Sequence, residues 1–290
     1  MPDALHPSPD AAAQCWADAV RANREQVDRV REDVEPGDFY APLASMFRAD
    51  PRRDDDPTLA ALRELVAPGD TWLDIGAGGG RFALPLALLA QEVIAVEPSA
   101  GMVAVLRDAM RQFEVANVRV IQGRWPSAAP VPADIALIAH VGYDVEDMAR
   151  FLDAMEASPR RLCVCVMLER PPTHPFDQMW PAVHDEARAS LPSLPEFLAL
   201  LLARRRLFEV RFVARSPQTF GSPDDLIALA RRQLWTRPGS VKDEALQAVL
   251  RERVIAREGR VAASWDPVRV GVVTWSPAPA DAGGERGRPA

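Results

Sequence analysis

Cysteine is scarce, with three residues among 290, at positions 15, 163 and 165. They are too few and too unevenly spaced for a disulfide framework or a four-ligand zinc site, so the sequence implies a reducing cytoplasm and no metal centre. Cys163 and Cys165 alternate in a strand-like run, where both face one side as small apolar core residues. Lysine is rarer still: Lys242 is the single example, and the 34 basic residues are otherwise all arginine. They are outnumbered by 41 Asp and Glu, giving a net charge of -7 and a pI near 5.3. Such a surplus opposes a broad grip on phosphate backbones, which depends on clustered cations, and argues against a nucleic-acid partner. No apolar run reaches the length of a membrane span, and residues 1–10 lack the basic region and apolar stretch of a signal peptide. The expectation is a soluble cytoplasmic protein without a membrane partner.

What remains is a chain that is 48% hydrophobic and long enough for one large domain with a modest appendage. Residues 1–10 and 276–290 are rich in proline, glycine and small polar residues, and the sequence predicts both to be disordered. Trp16, Val20, Val27, Val30 and Val34 recur at helical spacing over 11–35, and Pro36-Gly37 ends the pattern. A broken segment with Phe39, Tyr40 and Phe47 follows, then a helix over 58–66, so residues 11–67 read as an N-terminal helical cover.

From residue 68 to 275 short apolar runs alternate with helical stretches, the signature of repeated βα units on a mostly parallel sheet. Strands are predicted over 71–75, 92–97, 118–122, 135–139, 161–168, 209–214 and 268–275. Helices are predicted over 82–90, 101–113 and 145–157. The fold class is therefore α/β, a doubly wound, mostly parallel seven-stranded sheet. An excursion over 169–195 carries six prolines and several aromatics. Its length makes it a candidate lid or substrate-facing segment.

The first strand runs directly into Asp74-Ile75-Gly76-Ala77-Gly78-Gly79-Gly80. Glycine permits a sharp turn there and lets a ligand lie against the backbone. A phosphate loop of the Walker type requires Lys followed by Ser or Thr, but Arg81-Phe82 stands in that place. The commonest dinucleotide frame, begun at Gly76, requires a small residue where Arg81 sits. A frame begun at Gly78 does find Ala83 in the right place but leaves Asp74 without a role. A nicotinamide-dependent oxidoreductase therefore stays open as an alternative.

The spacing Asp74-x-Gly76-x-Gly78-x-Gly80 resembles the first motif of class I S-adenosylmethionine-dependent methyltransferases. The likeness continues at Val93-Ile94-Ala95-Val96-Glu97, a second apolar strand ending in an acid, with Pro98 and Met102 beyond it. The resemblance implies that Gly76, Ala77, Gly78 and Gly80 admit the methionyl part of S-adenosyl-L-methionine, and that Asp74 helps hold its ammonium end. It also implies that Glu97 accepts hydrogen bonds from the ribose hydroxyls and that Pro98 and Met102 pack near the adenine. At the third motif, Gln122-Gly123-Arg124-Trp125, arginine replaces the usual adenine-binding acid. Gly123, the backbone of Arg124 and the face of Trp125 are the substitutes, with plain packing an equal reading of Trp125.

In that family donor and acceptor meet near the end of the fourth strand, here followed by His140-Val141-Gly142-Tyr143-Asp144. His140 is the candidate base or a liner of the cofactor site, with Tyr143 and Asp144 as further catalytic candidates. Methyl transfer is an in-line displacement at an activated sulfonium, so positioning alone can supply much of the catalysis. Trp180 and His184 lie one helical turn apart in the excursion, and with Tyr40 they are the candidate substrate contacts. No Asn-Pro-Pro-Tyr-type signature follows the fourth strand. The expectation is transfer of a methyl group to a small-molecule acceptor, with a noncatalytic S-adenosylmethionine-binding module as the non-enzymatic alternative.

Overall fold

The computed structural model describes residues 7–32, 37–38, 48–126 and 131–277. Alternation along each strand decides the architecture. In β1 (Thr71–Ile75) Trp72 faces one apolar cluster while Leu73 and Ile75 face another. In β2 (Glu92–Glu97) Val93 and Ala95 divide from Ile94 and Val96 in the same way. A sheet apolar on both faces is stable only when helices cover both.

β3 (Val118–Gln122), β4 (Ala133–Ala139), β5 (Pro159–Leu168), β6 (Phe208–Arg215) and β9 (Val268–Trp275) complete a seven-stranded sheet in the order β3-β2-β1-β4-β5-β9-β6. β9 is antiparallel to both β5 and β6, and the other pairings are parallel. Strand order reverses at β1, which pairs with β2 on one side and β4 on the other. Open α/β sheets take their ligands at such a reversal, outside the carboxyl ends of the strands.

One face is covered by α1 (Pro9–Val30), α5 (Met148–Glu156) and α8 (Leu194–Ala203), whose Trp16, Phe151 and Phe197 lie in the same cluster as Leu73 and Ile94. Cys163 and Cys165 lie together in this cluster as free thiols, and burial pushes both up. The opposite face is covered by α2 (Pro57–Arg63), α3 (Ala83–Ala87) and α4 (Ala100–Gln112).

The expected elements recur with altered ends. Pro9 and Asp10, expected to be disordered, form the first turn of α1, capped by Ser8, whose hydroxyl accepts the Ala11 N–H at 3.1 Å. The helix stops at Val30 and not at residue 35, because tertiary contacts take over: Lys242 Nζ donates to the Val30 carbonyl at 2.7 Å and the Glu32 N–H donates to Trp235 O at 3.1 Å. Phe39, Tyr40 and Phe47 lie outside the described residues.

A third cluster was not anticipated. The excursion folds into α6 (His174–Asp177) and α7 (Trp180–His184), and residues between β6 and β9 form α9 (Pro223–Gln233), α10 (Val241–Arg253) and the hairpin β7 (Ile255–Arg257) and β8 (Arg260–Ala262). Phe176, Met179, Trp180 and Val183 pack there against Leu226, Leu234, Leu246 and Leu250, with Val27 of α1 closing the cluster. The excursion is thus a wall of a small cap module, not an isolated lid.

Candidate functional site

The glycine loop is built by backbone pairing. The N–H groups of Gly76 and Ala77 both donate to Val96 O, at 2.8 and 3.1 Å, which draws the chain leaving β1 against β2. Gly76 sits at φ +77°, and a Cβ there would lie 2.5 Å from Val141 Cγ2, so the β1 and β4 loops touch. Gly80, at φ +88°, would place a Cβ 2.5 Å from Leu106 Cδ1. Both positions require glycine for conformation and for space. Gly78, at φ +55°, has only Met102 Sδ near, at 4.0 Å from where its Cβ would stand.

Two acids lie beneath this loop. Asp74 is buried, and burial first, then the charge of Glu97, pushes its carboxyl up to about 7 against the opposing pull of the Ala83 N–H, which donates to it. Glu97 is also buried, and its two oxygens accept the N–H groups of Gly78 and Ser99, each at 2.8 Å. Burial raises its pKa, the charge of Asp38 adds to this, and the two backbone donors oppose both. Among the described residues neither Asp74 nor Glu97 forms an ion pair.

Asp38 is a site neighbour that the sequence did not single out. Its carboxylate accepts the Ser99 hydroxyl at 2.8 and 2.9 Å and the Gly101 N–H at 3.3 Å, at the start of α4. The signal available was the turn Pro36-Gly37-Asp38, but nothing local says that it reaches residue 99.

Of the residues expected near the adenine, Pro98 is exposed and Met102 is buried. The Gly123 N–H donates to Glu97 O at 3.0 Å, while the Arg124 side chain is exposed. Trp125 packs against the α1–α5 cluster, and its Nε1 donates to Phe151 O at 3.4 Å, which supports the packing reading of that ring.

At the end of β4 the backbone N–H of His140 donates to Val166 O at 2.8 Å, and the residue then turns to φ +58°. Its ring centroid lies 6.3 Å from that of Phe82, and Nδ1 is buried without a hydrogen-bond partner. Burial, then the charges of Arg215 and Arg81, drive the imidazole down to about 3 against the pull of Asp56. His140 is therefore neutral near pH 7, and it is a weak base in this state.

Tyr143, a further catalytic candidate, lies on the loop that follows β4. Its buried hydroxyl accepts the Leu168 N–H at 2.8 Å, and burial pushes the phenol well up. It ties the β4 loop to the end of β5. Asp144 is exposed on the same loop.

Trp180 and His184 are brought together, with ring centroids 4.2 Å apart, but inside the third cluster. Trp180 is fully buried beneath the Arg188 guanidinium, 4.3 Å from the ring, and His184 Nε2 bonds to Leu234 O at 2.8 Å. Their expected role as substrate contacts gives way to packing of the cap module. The third candidate, Tyr40, lies outside the described residues. Among the described residues, no group of three or more His, Cys, Asp and Glu side chains is gathered as a metal site.

Residues 73–158 match the family described as a methyltransferase domain. No curated protein matches the chain. Among solved structures, the chain is similar to the YcgJ protein from Bacillus subtilis, at 17% identity and TM-score 0.55, covering 76% of this chain and 97% of that one. It is also similar to an S-adenosylmethionine-dependent methyltransferase from Thiobacillus denitrificans in complex with S-adenosyl-L-homocysteine. That match has 17% identity and TM-score 0.51, covering 84% of this chain and 99% of that one. At these identities the likeness establishes the fold.

Proposed function

We propose that this chain, whose residues 73–158 match a methyltransferase domain, is a class I S-adenosylmethionine-dependent methyltransferase and methylates a small-molecule acceptor at the carboxyl end of β4. The observation that carries the cofactor assignment to particular residues is the pair of buried acids beneath the glycine loop, Asp74 and Glu97. A buried carboxylate without a cationic partner is costly, and its protonation is the usual relief. A ligand bearing an ammonium group relieves the cost at Asp74 directly, since it stabilises the ionised form.

S-adenosylmethionine, when bound, supplies a methyl carbon on a positively charged sulfur, and the carbon–sulfur bonding pair stays with sulfur as an acceptor lone pair takes the methyl. Asp74 would hold the amino-acid end. Glu97 already spends one lone pair on each of its two backbone donors, and a carboxylate has about four such sites, so it retains capacity for the two ribose hydroxyls. Gly76, Gly78 and Gly80 keep side chains off the loop and Ala77 adds only a methyl, with Met102 and Pro98 toward the adenine and Gly123, Arg124 and Trp125 on the β3 side. His140 would present a neutral imidazole near the acceptor, able to orient a hydroxyl or amine without drawing the proton fully away.

The charge of -7 favours a small molecule over a polynucleotide as acceptor. The test is calorimetric titration with S-adenosyl-L-homocysteine and with NAD, followed by turnover of S-adenosylmethionine against a panel of small alcohols, amines, acids and an RNA oligonucleotide. Expected are binding of S-adenosyl-L-homocysteine, its weakening in Asp74→Asn, and turnover with a small molecule. Binding of NAD alone would overturn the cofactor assignment, and turnover confined to RNA would overturn the acceptor class.

A further inference from the structure

Two arginines gather at Phe82, the ring neighbour of His140, and a third ends a strand at the same end of the sheet. Arg53 and Arg81 both reach the Asp56 carboxylate, at 3.3 and 2.9 Å, and their guanidinium carbons stand 6.0 and 5.4 Å from the Phe82 ring centroid. Arg215 closes β6, which runs parallel to β5 because both are antiparallel to β9, so it arrives at the same carboxyl end of the sheet as His140. Arg215 is half-buried, and its charge acts on His140, Arg81 and Tyr143. Three guanidinium charges thus meet a single carboxylate.

Asp56 does not neutralise this cluster. Burial pushes its carboxyl up, but the hydrogen bond and charge of Arg81, the Leu59 N–H and the charge of Arg53 outweigh burial and hold it at about 2. It is committed to those two arginines and to capping α2, where it accepts the Thr58 and Leu59 N–H groups at 3.0 and 3.3 Å. Arg215 makes no ion pair among the described residues. Arg81 Nε, like His140 Nδ1, is buried with no hydrogen-bond partner. A buried donor left without an acceptor is unfavourable, and two cations close enough to repel are more so, unless an anion joins them.

We propose that Arg215, with Arg81 behind it, forms an anion-binding subsite for the methyl acceptor, so that the acceptor is a small organic molecule bearing a carboxylate or phosphate group. The proposal rests on the methyl-transfer reading for the word acceptor, but the subsite itself does not. The planar fork of a guanidinium takes two oxygens of such a group at once, which fixes orientation as well as attraction. The subsite lies beside the carboxyl end of β4, so an anion held there sets the rest of the molecule next to His140. An anion between Arg215 and Arg81 also offsets the charge repulsion on the imidazole, a smaller cause of its neutrality than burial.

The test uses the full chain saturated with S-adenosyl-L-homocysteine and titrates it with benzoate, phenyl phosphate, inorganic phosphate and neutral benzamide. The readouts are calorimetry and the His140 imidazole resonances. Expected is binding of benzoate or phenyl phosphate, a change in the His140 signals on binding, and little response to benzamide. Preference between the two aromatic anions separates carboxylate from phosphate. Arg215→Gln should weaken the anion at least about tenfold, the loss of one charge-assisted bidentate contact, while Arg215→Lys should keep part of it. Thermal melting of both variants shows whether the fold is retained.

Equal binding of benzoate and benzamide, or unchanged anion affinity in a folded Arg215→Gln, overturns the subsite. Tight, salt-sensitive binding of an RNA oligonucleotide that Arg215→Gln abolishes overturns the small-molecule class. Failure of S-adenosyl-L-homocysteine to bind while benzoate binding still depends on Arg215 overturns the methyl-transfer reading and leaves the subsite standing.

Discussion

Glu97 Oε2 accepts the backbone N–H of Gly78 at 2.8 Å, so the acid that ends β2 holds the glycine loop that follows β1. Its other oxygen accepts the Ser99 N–H, which makes one side chain the brace of both loops. Glu97→Gln keeps the shape but turns an NH2 group toward one of two backbone donors. Leaving that N–H unpaired should cost about 1–3 kcal/mol of stability. Affinity for S-adenosyl-L-homocysteine should fall at least about tenfold, since a carboxylate acceptor is also lost. Urea unfolding and calorimetry measure the two effects, and unchanged affinity would remove Glu97 from the cofactor site.

The approach of Gly76 to Val141 makes a separate prediction. An alanine at 76 meets both a positive φ and a Cβ position 2.5 Å from Val141 Cγ2. Strain of the backbone and overpacking together should cost about 2–4 kcal/mol. Gly76→Ala combined with Val141→Ala relieves the overpacking but not the dihedral. The double variant should therefore recover only part of the loss relative to Val141→Ala alone. Full additivity of the two substitutions in denaturant midpoints would show that the two loops do not touch.

Much of this loop was legible in advance, and the reason is that its determinants are local. Asp74, the glycines and Glu97 lie at fixed intervals along one βα unit, where strand alternation and turn chemistry act over a few residues. The seven strands were legible for the same reason, including β9, whose alternation of Val268, Val270 and Val272 is self-contained. The cap module was not, because its cluster joins Val27, Trp180, Leu226 and Leu250 from four distant stretches. Trp180 and His184 share a helix face as their spacing implied, but only the tertiary fold says that this face turns into the cap. Arg215 was not legible because its arrival at the carboxyl end of the sheet follows from how β6 and β9 pair, which no local pattern encodes.

Asp74 and His140 should pull the pH dependence of stability in opposite directions. The Asp74 carboxyl is raised to about 7 in the folded chain, against roughly 3.9 when unfolded. Between those values the folded state binds the extra proton, so this group makes stability fall as pH rises toward 7. The His140 imidazole is lowered to about 3, against roughly 6.5 unfolded. Between those values the unfolded state binds the extra proton, so this group makes stability rise with pH over the same window and then level off. The two contributions offset each other between about pH 4 and pH 6.5. Asp74→Asn should remove the first and leave a chain that loses stability more steeply than the wild type on acidification. His140→Asn, which tolerates the left-handed backbone at 140, should do the reverse. Unfolding free energies at half-unit pH steps give the slopes, and parallel curves for the two variants would refute the opposed titrations. Cofactor binding adds a further consequence: because an ammonium group stabilises ionised Asp74, affinity for S-adenosyl-L-homocysteine should rise with pH through about 7 in the wild type, and this rise should vanish in Asp74→Asn.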